Sequence, residues 1–189
     1  MVMDALVRRF TEGRQRYDTG GGRAARGSVI EPLLGEALRI PFFRRRPPKS
    51  AGREEFGIDF VDRYFFPARS RHHPEDLLRT AAELTACSIA AALNRFVFPR
   101  VGAAGRLRRL VISGGGAHNR LLVERLSMLL PALRVQPSDD YGWPVDAKEA
   151  MAFALLADRT VHGLAGNLTG VTGARRQVVL GTLTMTESA

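Results

Sequence analysis

The stretch that decides the fold runs from Leu107 to Leu130 and reads LRRLVISGGGAHNRLLVERLSMLL. Leu107, Leu110, Val111 and Ile112 make a short aliphatic and β-branched run, which predicts a strand over Leu107 to Ile112. Gly114, Gly115 and Gly116 interrupt it, and Leu121, Leu122, Leu126, Leu129 and Leu130 then recur at helical spacing from Ala117 onward. Strand, glycine turn and amphipathic helix is the order in which chains build a nucleotide site. Glycines take positive φ and let a ligand approach the backbone, while the helix start offers unpaired N–H groups and the positive end of its dipole. A tight strand-to-helix turn with no ligand fits the same residues equally well. The turn is not a P-loop, because no Walker lysine follows the glycines. Ser113 is no nucleophile elbow either, since Val111 stands where that pattern needs glycine.

Outward from this unit, Pro74 to Phe96 predicts the longest helix. Pro74 suits a first helical position and Glu75 and Asp76 face the helix dipole. Leu77, Leu78, Ala81, Leu84, Cys87, Ser88, Ala91 and Ala92 form its expected buried stripe. Val2, Ala5, Leu6 and Phe10 share one face of a helix at the start of the chain, and Val29 to Ile40 predicts another that Pro41 ends. Between them Asp18 to Gly27 (DTGGGRAARG) is glycine-rich enough to bind phosphate, but no strand precedes it, so it reads as a loop. Phe56, Phe60, Phe65 and Phe66 read as core contacts. Leu133 to Val135 and Val178 to Leu183 read as further short strands, and Asp146 to His162 as a helix with Ala150, Met151, Phe153, Ala154, Leu155, Ala157 and Val161 on its apolar side.

Composition sets the bounds. A chain of 189 residues with 45% hydrophobic and 25% charged residues is an ordinary globular chain and not a disordered one. No uninterrupted apolar run reaches membrane-spanning length, the start shows no signal-peptide h-region, and the one cysteine, Cys87, has no internal partner, so the cytoplasm is the expected compartment and no membrane is an expected partner. The net charge of +9 raises nucleic acid as a partner. The excess is scattered arginine, with Arg44, Arg45 and Arg46 the one contiguous run and no interleaved aromatic residues, so nucleic acid is not expected.

The candidate polar residues each carry a plain structural explanation. Asp146 and Glu149 fit a capping box at the head of a helix, and spacing alone favours that over a grip on a sugar hydroxyl. Lys49 and Arg53, in the proline-rich segment Pro47 to Glu54, have the chemistry to hold an anion, but taken alone the segment is better read as a solvated connector. His72 and His73 lack partners at metal-ligand spacing, so no metal site is expected.

Taken together, several blocks resemble the anhydro-N-acetylmuramic acid kinases, a family of the actin-like, ribonuclease-H-fold ATPase superfamily. The matching residues are GGGAHN from Gly114 to Asn119, PVDAKEAMAFALLADRT from Pro144 to Thr160 and GNLTGVTGA from Gly166 to Ala174. Upstream, MDAL from Met3 to Leu6, YDTGGGRAARG from Tyr17 to Gly27 and PPKSAGREEFG from Pro47 to Gly57 also match. Ala51, Val145 and Thr169-Gly170 depart from the family pattern without removing a charged group.

The resemblance implies an α/β, helix-rich and incomplete ribonuclease-H-like lobe with few strands. It divides into a mainly helical and loop part over residues 1–106 and a strand, glycine-turn and helix unit with a C-terminal segment over 107–189. It implies phosphorylation of 1,6-anhydro-N-acetylmuramic acid by ATP with Mg2+ and opening of the anhydro ring, within peptidoglycan recycling. Gly114, Gly115, Gly116 and Asn119 would face the nucleotide, and Glu149 the sugar. The family's GTMSGTS phosphate loop and the DTGPGN block with its catalytic aspartate are absent, so the chain resembles the C-terminal half of such an enzyme and no catalytic residue is expected within it. Its implied partners are the sugar, the N-terminal half and, in a homodimer, a second copy. A non-enzymatic remnant that at most binds adenine nucleotide weakly is the alternative expectation.

Overall fold

One long helix organises the chain. In the computed structural model, which describes residues 1–101 and 107–184, α1 (Val2–Phe10) and α2 (Glu31–Leu38) precede this helix, α3 (Pro74–Ala92). Strand β1 (Arg109–Ile112), α4 (Arg120–Leu129), β2 (Arg134–Pro137) and α5 (Lys148–Val161) follow. The fold is the expected helix-rich α/β arrangement. Among the described residues the strands form a two-stranded parallel sheet, with Leu110 opposite Val135 and Ile112 opposite Pro137. Helix α4 is the crossover between them. Residues 102–106, where the sequence reading divides the two parts, lie outside the described residues.

The first turn of α3 explains why the segment ahead of it is a loop. Asp76 Oδ1 accepts the Ser28 N–H at 2.7 Å, Arg23 meets Glu75 at 3.3 Å, and Thr80 Oγ1 accepts the Ile30 N–H at 2.9 Å. Asp18 closes the same loop by accepting the N–H groups of Arg23 and Ala24, both at 2.9 Å. Gly27 runs so near α3 that a Cβ there would stand 2.1 Å from the Glu75 carbonyl oxygen. Close approach, not a left-handed φ, demands glycine at this point.

At the other end, Pro99 has no N–H to return to the preceding turn, and the helix widens into a π turn over Leu93–Val97 before continuing to Val101. The whole helix Pro74–Val101 is long and apolar enough to cross a membrane by length and composition, with a mean hydropathy of 1.2 in its best window. Here Leu77, Leu78, Ala81, Leu84, Ala86 and Ala90 are buried inside the protein.

Two hydrophobic clusters share α3. Its first half packs with Leu6, Val7, Leu33, Leu34 and Ala37, and a chain of rings (Phe42, Phe43, Phe56, Phe60 and Phe65) closes that cluster with neighbouring centroids 5.1 to 6.0 Å apart. Phe66 is only half-buried, with Arg9 and Arg69 over its ring. The second half of α3 packs through Ala86 and Ala90 on Leu122, Leu126, Leu130 and Leu133. That contact turns the stripe away from the expected residues: Cys87, Ser88 and Ala92 are half-buried and Ala91 is exposed.

Between the clusters lies a carboxylate that the apolar pattern hides. Glu83 is 5% exposed, and its two oxygens accept from Nε and Nη2 of Arg125 on α4, both at 2.7 Å. This bidentate bond holds the Glu83 carboxyl below its ordinary pKa against the opposing effect of burial. The neighbouring Cys87 Sγ lies 3.4 Å from Glu83 Oε1, and burial followed by that carboxylate pushes the thiol up to about 11.

Several expected boundaries move. The first strand starts at Arg109 and the second spans Arg134–Pro137. Val178 to Leu183 is not a strand: among the described residues no strand lies beside it, and its contacts include Val178 N–H to Asn167 Oδ1 at 2.7 Å, Gly166 N–H to the Val178 carbonyl at 3.0 Å and Thr160 Oγ1 to the Leu180 carbonyl. Helix α2 begins at Glu31 and α4 at Arg120, the latter after a 3-10 turn over Gly115–His118. Helix α5 begins at Lys148 after a 3-10 turn over Val145–Ala147. It buries none of its residues, so the apolar side read from its sequence faces outward, with Phe153 70% exposed.

Glu83→Gln should lower unfolding free energy by about 2–3 kcal/mol, below the 3–5 of a fully buried pair because Arg125 still reaches water. The sign with pH follows from the lowered carboxyl. Its contribution is complete above the unfolded value of about 4.3 and is lost as pH falls through the lower folded value. Urea melts of both proteins between pH 3 and 7 check this, the gap narrowing toward acid. A separate expectation concerns solubility. Phe153, Leu155, Val161, Leu168 and Val171 are all exposed, and apolar patches of this kind drive association. The +9 charge is screened beyond about 8 Å at physiological salt. Light scattering on the chain alone should therefore show oligomers, and a monodisperse monomer would contradict it.

Candidate functional site

The glycine turn is built from both sides. Gly114 stands at φ +76°, a left-handed conformation that turns β1 sharply into the 3-10 turn Gly115–His118. Its N–H donates to the Val145 carbonyl at 2.8 Å, which ties the turn to the start of α5. A Cβ placed on Gly114 or Gly115 would meet nothing within 4 Å, so this stretch of backbone is open to a ligand.

Opposite it lies the loop from Asp18 to Gly27. Gly21, at φ +76°, comes so close to the turn that a Cβ there would stand 2.2 Å from Asn119 Oδ1. Two glycine-rich segments, far apart in sequence, therefore meet. Between them and the N-terminal face of α1 is a cavity of about 880 Å³, walled by Thr19 and Gly20 on one side and by Gly115, Gly116 and Asn119 on the other. Asp4, Arg8, Arg16 and Tyr17 line its other walls, and His118 and Asp146 stand beside the glycine turn.

The expected site residues divide. Gly115, Gly116 and Asn119 line the cavity and Gly114 shapes the turn beside it. Asn119 also has a structural duty, since its Oδ1 accepts the Leu122 N–H at 3.1 Å and caps α4. Glu149 does not line the cavity. It sits exposed on the first turn of α5, and its carboxylate makes no hydrogen bond or ion pair among the described residues.

The capping box expected at Asp146 and Glu149 does not form. Asp146 falls inside the 3-10 turn Val145–Ala147, one residue too early, and α5 has Ala147 at its N-cap with no side-chain bond. The Asp146 oxygens instead lie 2.9 and 3.1 Å from His118 Nε2 on the glycine turn. Lys49 is committed to backbone carbonyls. Its Nζ donates to the carbonyls of Phe42 at 2.9 Å and Phe43 at 3.4 Å beneath the Phe42 and Phe96 rings, and burial, then Arg45 and Arg95, lower its pKa. Among the described residues no group of three His, Cys, Asp or Glu side chains is placed to hold a metal ion.

Sequence reasoning missed Arg8, Arg16, Thr19, Gly20 and His118 as neighbours of the turn. The glycines after Asp18 were the available signal for Thr19 and Gly20. Nothing local pairs His118 with a residue 28 positions on.

A family model described as anhydro-N-acetylmuramic acid kinase matches residues 1–186. The chain belongs to that family. Curated members with the same description are 39% identical over 186 residues in Caldanaerobacter subterraneus subsp. tengcongensis and 41% over 186 residues in Salinibacter ruber, each alignment covering 98% of this chain. A third, from Streptomyces coelicolor, is 42% identical over 183 residues. The alignments take in 46%, 45% and 44% of those proteins, so the chain spans about half the length of the curated relatives it matches. The family is a kinase family, and the similarity runs through both glycine segments and α5.

Asn119→Ala should remove the cap of α4 and cost about 1 kcal/mol of stability. Chemical denaturation monitored by circular dichroism checks this, and a midpoint unchanged from the parent would show that the cap contributes nothing.

Proposed function

We infer that this chain is the C-terminal half of a kinase that phosphorylates 1,6-anhydro-N-acetylmuramic acid on its 6-oxygen while water opens the anhydro ring, giving N-acetylmuramic acid 6-phosphate for peptidoglycan recycling. The family match across residues 1–186 carries this reading. The meeting of two glycine-rich turns at one cavity supports it.

The residues present fit a nucleotide. The backbone at Gly114 and Gly115 is open, and a cavity of about 880 Å³ lies within the roughly 300–1,000 Å³ of small-molecule sites. When bound, ATP supplies the transferred phosphoryl group, with Mg2+ carried on its phosphates. Gly115 and Gly116 present bare backbone to the nucleotide, and Arg8 and Arg16 lend positive charge across the cavity. Glu149, free of any cap, accepts a hydrogen bond from a sugar hydroxyl and orients the ring. Phosphoryl transfer depends chiefly on such positioning. The base that takes the proton of the attacking water comes from the other half, where the family's catalytic aspartate lies.

The test compares the chain alone with the chain co-expressed with the N-terminal half of a relative, measuring ADP and sugar phosphate. The mixture should turn over and the chain alone should not, since a missing general base alone costs about 10²–10⁴ in rate. Glu149→Gln in the active mixture should lower kcat/KM at least tenfold with a melting temperature near the parent's. An assembled mixture that binds ATP but never turns over would sink the kinase reading in favour of a non-enzymatic nucleotide binder.

A further inference from the structure

Helix α5 has an unusual dependence on one joint. It buries none of its residues. Its outward polar contacts run to the segment that follows it, through Arg159 to the Ala165 carbonyl and Thr160 to the Leu180 carbonyl. At its head, by contrast, three bonds reach the glycine turn. Gly114 N–H donates to the Val145 carbonyl at 2.8 Å, and His118 Nε2 meets both Asp146 oxygens at 2.9 and 3.1 Å. Val145 itself is buried there, 4% exposed, and its own N–H is held by Asp139 Oδ1 at 2.9 Å.

We propose that His118 and Asp146 are positioning residues: their contact is the latch by which the nucleotide-side glycine turn sets the place of α5 and, through it, of Glu149. The proposal rests on the proposed roles of the turn and of Glu149. Both partners are largely exposed, and exposed pairs are individually weak. The latch matters because, among the described residues, the helix has little else to hold it. Glu149 lies one residue into α5, three beyond Asp146, so a shift of the Asp146 turn carries Glu149 with it. The glycine turn cannot be displaced by a ligand without moving His118, which belongs to the same 3-10 turn.

The experiment is amide hydrogen exchange on the whole chain, comparing the parent with His118→Gln, Asp146→Asn and the exchanged pair His118→Asp/Asp146→His. Each single variant should speed exchange in α5 by about two- to fivefold, the scale of one exposed pair, with α3 and α4 at parental rates. The exchanged pair should restore parental protection, which loss of bulk or of general stability would not produce. Unchanged exchange in α5, an equal loss across α3 and α4, a failure of the exchanged pair to recover, or an α5 already unprotected in the parent overturns the proposal. No nucleotide or sugar enters the measurement. A negative result thus leaves the kinase reading intact, and a failure of the chain to bind ATP leaves the latch intact.

Discussion

The bond between Glu83 and Arg125 is the constraint on which the other contacts depend. A bidentate guanidinium–carboxylate pair fixes direction as well as distance, so α4 crosses α3 in one rotation and not merely somewhere along its apolar stripe. That rotation puts Leu122 and Leu126 on Ala86 and Ala90, and it brings Asn119 at the head of α4 against Gly21. A purely apolar contact would tolerate sliding by a turn, whereas a charge removed from water does not. The cavity between the two glycine segments inherits its shape from this registration.

Local pattern made the centre of the fold legible. Leu110 to Ile112, the glycines and the leucines of α4 are contiguous, and each element is decided by its own periodicity. The same holds for the head of α3, where proline and two acids fix the start within one turn. What escaped were features defined by a distant partner. Val178 to Leu183 has strand composition, but a strand exists only beside another strand. Glu83 reads as an interruption of an apolar stripe because Arg125 is 42 residues away.

The candidate site shows the same division. The glycine triplet was readable because its backbone demands are local, whereas Asn119 came only from the family resemblance, and in the structure it lines the cavity and also caps α4. Asp146 misled because a capping rule counts spacing from an assumed helix start, and the start lies at Lys148. Once His118 competes for its carboxylate, the rule has no hold. Lys49 misled in the opposite direction: a cation in an open-looking proline segment is enclosed by two carbonyls and two rings.

Burial first, and the Glu83 carboxylate beside it second, also set the chemistry of the chain's one thiol. Thiols react as thiolates, and with Cys87 raised to about 11 only about one molecule in 10⁴ carries that form at neutral pH. Electrophiles and mild oxidants should therefore react slowly with this residue, although it is not fully buried. For spectroscopy the native thiol should label far more slowly than an exposed cysteine. A reporter cysteine introduced on an exposed face would take a maleimide probe almost alone, with no need to disturb α3 by replacing Cys87.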